Sequence, residues 1–230
     1  YIDYYLKGKD GKPLAIIEAK RAAYDPKKGL EQSRQYASCL EREFGYRPLI
    51  FLSNGYTTYF VDDENGTYRP VGGVFSQDDL QRLINRRKQA LNPLTVEVNM
   101  AVAGRYYQVE AIKAFCEALN QGKRRGLLVM ATGTGKTRVS AALADVLMRA
   151  RLVKNVLFLA DRVELVRQAK SAYGEYYSEW SLCNLCENKH DADARVVFST
   201  YQTMIGAIDV EKSAEDKLVF SPGHFDLIIV

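Results

Sequence analysis

Leu127-Leu128-Val129-Met130-Ala131-Thr132-Gly133-Thr134-Gly135-Lys136-Thr137 is the stretch on which the fold of this chain turns. Its apolar start reads as a buried strand, a glycine-punctuated loop follows, and residues 138–149 continue with the periodicity of an amphipathic helix. Unpaired amides in such a loop, together with the helix N-terminus, form a concave site for anions. Gly133 and Gly135 let the backbone approach phosphate without a Cβ in the way. Lys136 is expected to reach the β- and γ-phosphates of a nucleotide, and the Thr137 hydroxyl to sit on Mg²⁺. The strict pattern has glycine where Met130 stands, so the match departs at its first position.

Working outward, residues 155–160, 195–199 and 225–230 read as strands, and residues 163–173 and 201–208 as helices. Strands alternating with helices indicate a parallel sheet with the nucleotide at the strands' carboxyl ends. Residues 105–121 form a helical pattern with Ala111, Ala114, Phe115 and Ala118 on one side. Asn92-Pro93 breaks the helix before it, and residues 91–104 read as an extended linker.

Upstream of that linker the chain changes character. Residues 1–6 and 14–19 read as two strands joined at Asp10-Gly11. A two-residue turn there makes paired positions sum to 21, which sets Asp3 opposite Glu18, with Lys20 on the same face. Facing carboxylates repel unless a cation lies between them, and converging oxygens suit Mg²⁺, which keeps several of its waters. Such spacing also fits an ordinary polar hairpin face. Asp25 and Pro26 are expected to open a helix on which Gln32, Tyr36 and Leu40 share one face. Residues 49–61 read as a hairpin with an Asn54-Gly55 turn, and Ser76 caps a helix running to about Gln89.

The net charge of +4 permits a nucleic-acid partner without requiring one. No apolar run approaches the length of a membrane span. Four scattered cysteines point to a reducing, cytoplasmic setting rather than a disulfide scaffold. Cys183 and Cys186, followed by His190, suggest half a zinc site for which His224 is a candidate fourth ligand; reduced thiols are the simpler reading. The chain starts without Met and stops inside an apolar pattern, so it is expected to be a piece of a longer protein.

Asp3, then Ile16-Ile17-Glu18-Ala19-Lys20, then Gln32-Ser33-Arg34-Gln35-Tyr36 resembles the Asp…Glu-x-Lys nuclease core. The version with a Gln/Tyr helix is similar to that of type I restriction subunits and RecB-type nucleases. Tyr107-Gln108 resembles the adenine-reading motif of superfamily 2 helicases. Residues 158–162 and 198–203 resemble helicase motifs that follow the DNA backbone, through Arg162, Thr200 and Gln202.

The combination resembles the restriction (motor and nuclease) subunit of a type I restriction-modification enzyme. That resemblance implies an α/β chain with a PD-(D/E)xK-type nuclease domain over 1–90, the linker 91–104, and a RecA-like P-loop domain over 105–230. It implies ATP and Mg²⁺ as cofactors. Its expected partners are double-stranded DNA and the methyltransferase and specificity subunits, with no membrane. Asp3 and Glu18 would bind Mg²⁺, Lys20 would assist the attacking water, and Gln32 and Tyr36 would complete the site. Gln108 and residues 132–137 would hold ATP, with binding but no turnover expected because the acidic box that follows residues 225–230 in the family is not present. The rival readings are another nuclease–helicase fusion of a defence or repair system, and a DNA translocase whose nuclease-like domain only grips DNA.

Overall fold

Apart from Glu18, residues 13–19 are apolar on both faces, as a strand enclosed in a sheet must be. In a computed structural model, which describes residues 2–188, 193–209 and 219–230, this is strand β2 (Pro13–Ala19). The described residues fall into two compact units, Tyr1–Gln89 with Ser221–His224, and Ala90–Phe220 with Phe225–Val230.

In the first unit, β2 lies between β1 (Tyr4–Lys7), antiparallel to it, and β3 (Leu49–Ser53), parallel to it. Strands β4 (Thr58–Asp62) and β5 (Thr67–Val71) extend the sheet antiparallel, in the order β1-β2-β3-β4-β5. Pro70 is tolerated because β5 is an edge strand. The parallel pair requires a crossover, and helix α1 (Leu30–Phe44) supplies it. Ala37 of α1 packs in one cluster with Ile16, Ile50 and Leu52. Helix α2 (Gln77–Gln89) brings Leu80, Leu83 and Ile84 into another cluster, with Leu14, Phe51 and Phe60.

Two turns of this unit differ from the simplest sequence reading. Between β1 and β2 the loop has three residues, Lys9, Asp10 and Gly11, closed by the Gly8 N–H donating to the Lys12 carbonyl at 2.8 Å. The register then shifts between Leu6 and Lys7, so Tyr4 still pairs with Ile17. The alignment that carries Asp3 toward Glu18 is therefore restored by a bulge rather than set by the turn. The β3–β4 connection is a four-residue loop, not a two-residue one. The Asn54 side chain accepts from the Tyr56 and Thr57 N–H groups at 3.1 and 2.9 Å, doing the work of a turn hydrogen bond. Asp25 does cap and Pro26 follows, but they open a 3-10 turn (Pro26–Gly29), and α1 begins only after it.

The second unit has a four-stranded parallel sheet in the order β7-β8-β6-β9, formed by β6 (Val156–Ala160), β7 (Leu182–Asn184), β8 (Val196–Thr200) and β9 (Leu227–Ile229). Helices α3 (Tyr106–Asn120), α4 (Lys136–Arg149), α5 (Val163–Tyr176) and α6 (Tyr201–Asp209) belong to the same unit. Residues 91–104 are not a free linker. Val102 and Ala103 are buried in the core with Ile112 and Val139, and Val96 and Val98 pack against it. The buried face of α3 is Gln108, Ile112 and Cys116, while Ala114 is exposed, a rotation of the expected face.

The largest departure is the apolar run before the phosphate loop. Residues 127–130 are in no strand, and Leu127 and Val129 are 86% and 89% exposed. Only Met130 packs against the core. Apolar composition marks what a stretch would bury, whereas a strand also needs a neighbour offering its ladder of hydrogen bonds.

Candidate active site

Three side chains, Asp3, Glu18 and Lys20, meet beside β2. Side chains alternate along β2, so Ile16 and Glu18 both point to the side covered by α1. Glu18 is 4% exposed, and its Oε1 accepts from Lys20 Nζ at 2.5 Å. Asp3, just ahead of β1, accepts from the Ala19 N–H through Oδ2 at 2.8 Å, which anchors its carboxylate beside the same strand. The hydrogen bond that Lys20 donates to Glu18, then the charges of Glu18 and Asp3, outweigh desolvation and hold Lys20 above the ordinary lysine pKa.

Gly29, at the end of the 3-10 turn, is the residue that sequence reasoning missed. A Cβ there would come within 2.5 Å of Glu18 Cγ and 3.2 Å of Lys20 Cε. The turn lies directly against the Glu18–Lys20 pair, and only glycine permits that approach. The Ser33 hydroxyl donates to the Gly29 carbonyl at 2.8 Å and fixes the turn to the first α1 winding. On α1, Gln32 Nε2 donates to Tyr36 Oη at 2.9 Å, and the Tyr36 phenol is close enough to act on Lys20 electrostatically. Asp3, Glu18, Lys20 and Tyr36 are therefore brought together, with Gln32 attached through Tyr36.

Two carboxylates with room for waters suit a hard divalent cation. Among the described residues no group of three or more His, Cys, Asp and Glu side chains is placed to hold a metal. Asp3 and Glu18 offer two carboxylates, one on the Ala19 N–H and the other buried against Lys20.

In the second unit the phosphate loop has the backbone its glycines foretell. Gly133 and Gly135 have φ of +78° and +89°, and Gly135 is the left-handed residue from which α4 starts. Thr132, Gly133 and Lys136 are exposed. Lys136 Nζ donates to the Ala131 carbonyl at 3.3 Å, and the Thr134 hydroxyl donates to the same oxygen at 2.6 Å. The loop is thus curled on itself, with its exposed lysine folded back onto the Ala131 carbonyl.

Gln108 is 2% exposed, and both ends of its amide are engaged: Oε1 accepts from Arg105 N–H at 3.2 Å and Nε2 donates to Thr134 O at 2.9 Å. Tyr107 Oη donates to the same Thr134 carbonyl at 3.2 Å. A Cβ on Gly135 would lie 2.6 Å from Gln108 Nε2, so the amide is seated where only glycine leaves space. In this arrangement Gln108 braces the phosphate loop.

Ala160 pairs with Thr200, so β6 and β8 end side by side and release Arg162 and Gln202 at the carboxyl ends of the sheet's two inner strands. Thr200 is 5% exposed, with its hydroxyl donating to Thr203 Oγ1 at 3.0 Å; Gln202 is exposed. Cys183 Sγ donates to Asn188 O at 3.2 Å, and both Cys183 and Cys186 are free thiols. His190, the third candidate zinc ligand, lies outside the described residues.

Residues 101–230 match the family described as type III restriction enzyme, res subunit, and residues 1–69 match that described as type I restriction enzyme R protein N terminus. Over 99% of the chain it is 30% identical to the type I restriction enzyme EcoAI endonuclease subunit of Escherichia coli. Over 95% it is 25% identical to the EcoKI endonuclease subunit of Escherichia coli strain K12. The chain spans 29% and 23% of those two relatives' lengths. A solved fragment of an HsdR subunit of a type I restriction enzyme from Vibrio vulnificus YJ016 is 26% identical, covering 89% of this chain and 38% of that one, at a TM-score of 0.38. No helix among the described residues is long and apolar enough to cross a membrane.

Proposed function

Because the chain belongs to the restriction (R) subunits of type I restriction enzymes, we propose that it provides the DNA-cutting site and the first ATP-binding lobe of an ATP-driven DNA translocase. The first unit is read as a PD-(D/E)xK-type nuclease, and the second as the first RecA-like lobe of a superfamily 2 motor. Double-stranded DNA is the substrate, with methyltransferase and specificity subunits as partners in the whole enzyme.

The observation that carries this reading is the convergence of Asp3, Glu18 and Lys20 against Gly29. Asp3 and Glu18 would hold Mg²⁺, which supplies positive charge against a phosphodiester that is gaining negative charge. Lys20, kept protonated by Glu18, places a second cation at that charge and can orient the attacking water. Gln32 and Tyr36, joined side chain to side chain, present an amide and a phenol for the DNA backbone. In the second unit, Lys136 would leave Ala131 O for the nucleotide's β- and γ-phosphates, and Thr137 would offer its hydroxyl to the accompanying Mg²⁺. Gln108 keeps the Thr134 carbonyl in place while this happens; with both ends of its amide engaged, it would have to give up these bonds to meet adenine.

In the full-length protein with its partner subunits, Glu18→Gln and Lys20→Ala should each lower DNA cleavage by at least about 100-fold while ATP hydrolysis and translocation continue. Cleavage that persisted in both variants would favour a translocase whose first unit only grips DNA.

A further inference from the structure

Beside the Glu18–Lys20 pair the first unit carries an aromatic and basic surface for which the proposed cleavage chemistry has no use. Residues 20–28 leave β2 and run to Gly29. They are tied to the tip of the β3–β4 hairpin by Asn54 Nδ2, which donates to the Ala22 and Tyr24 carbonyls at 3.4 and 3.0 Å. That tip and this segment expose Tyr56 at 87% and Tyr24 at 51%. On β4 and β5, Tyr59 and Tyr68 stack with centroids 5.3 Å apart and planes within 4°. Lys27 Nζ lies 5.0 Å from the centre of the Tyr59 ring and 6.0 Å from that of Tyr68, and Lys28 Nζ lies 5.6 Å from that of Tyr24. The nearby carboxylates already have partners. Asp25 accepts from the Lys27 N–H at 2.9 Å, and Asp63 is paired with Arg34 and Arg47 at 3.1 and 2.8 Å.

Exposed phenol rings interleaved with lysines match a strand that offers both phosphates and unpaired bases. A duplex offers phosphates but keeps its bases stacked on one another. We infer that the surface formed by Tyr24, Tyr56, Lys27 and Lys28 binds single-stranded DNA, taking up an unpaired strand next to the Asp3–Glu18–Lys20 site. The lysines meet the backbone, and Tyr56, at the hairpin tip, gives a face on which a base stacks. Continuity runs through one turn: Lys27 and Lys28 precede Gly29, which rests on the Glu18–Lys20 pair. The inference depends on the proposed nuclease reading for its purpose, but the binding itself does not require cleavage.

The test uses the 230-residue chain carrying Glu18→Gln, without divalent ions, and a labelled oligothymidine strand beside a hairpin duplex of equal length. Tyr56→Ala should weaken oligothymidine binding about fivefold or more, Tyr56→Phe should retain it, and duplex binding should be unchanged in both. Lys27→Ala and Lys28→Ala should each lower the slope of log affinity against log salt by about 0.7 for the single strand. Thermal unfolding of Tyr56→Ala should match the parent, because the ring is 87% exposed. Unchanged oligothymidine binding in Tyr56→Ala, or an equal loss for the duplex, would overturn the inference and leave the nuclease reading standing. Persistent cutting by Glu18→Gln in the full enzyme would overturn the nuclease reading and leave this surface standing.

Discussion

Glu18 and Lys20 were legible as chemistry because an acid at the end of a strand and a lysine two positions on, where the extended chain continues, share a face. Gly29 was not, since nothing in Lys-Lys-Gly-Leu says that the next layer of the structure will press on that Cα. Gly29→Ala should therefore act as an active-site mutation from outside the set of reacting groups. Its new methyl must displace Glu18 Cγ, so cleavage in the full enzyme should fall at least about tenfold, with ATP hydrolysis unchanged. Cleavage at the parent rate would mean that the pair tolerates displacement and that its placement is not critical. The raised pKa of Lys20 has a definite sign. Its ion pair contributes stability that is complete below the ordinary lysine pKa and is lost only as pH climbs through the higher folded value. Across neutral and mildly alkaline pH, Lys20 therefore keeps its charge.

Helices were the readable elements, because a repeat of 3.6 residues is written into the side chains themselves; α2 and α6 end within a residue or two of where their patterns stop. Turns were less readable. The Asn54 carboxamide takes over backbone bonding at the hairpin tip, and the bulge after Leu6 repairs a register that the three-residue loop would have shifted. Burial of charge could not be read at all. Arg87 on α2 and Asp62 at the end of β4 meet at 2.7 Å with side chains 6% and 3% exposed, joining helix to sheet. Removing one partner leaves the other charged in a dry site, so Arg87→Ala should cost about 3–5 kcal/mol and lower the melting temperature by more than about 10 °C. Lys9→Ala, at an ion pair with side chains 80% and 82% exposed, is the control and should melt with the parent. Equal melting of the two variants would show that the Arg87 pair ties nothing together.

At the scale of the molecule, Asn92 and Pro93 announced the end of α2, but Val96, Val98, Val102 and Ala103 needed a surface to be buried on before they could be recognised as core. The strand expected at 127–130 failed for the opposite reason: the apolar side chains were evident, but among the described residues no strand pairs with them. The loop that follows them supports a prediction for the chain as a whole. ATP with Mg²⁺ at about 100 times its dissociation constant should stabilise the fold by about 2.7 kcal/mol, and Lys136→Ala should abolish that shift without changing unfolding in the absence of nucleotide. A shift that survived the substitution would place the nucleotide elsewhere. The parallel pairing of β2 with β3 also sets an order of events during synthesis. Asp3, Glu18 and Lys20 leave the ribosome well before Leu49, which pairs with Ala15, and before Leu52, which pairs with Glu18. Until α1 and β3 follow, roughly a few seconds later, β2 has only the β1 hairpin beside it, and an isolated hairpin is marginal in water. A nascent chain thus carries Asp3, Glu18 and Lys20 before α1 and β3 are there to hold them together.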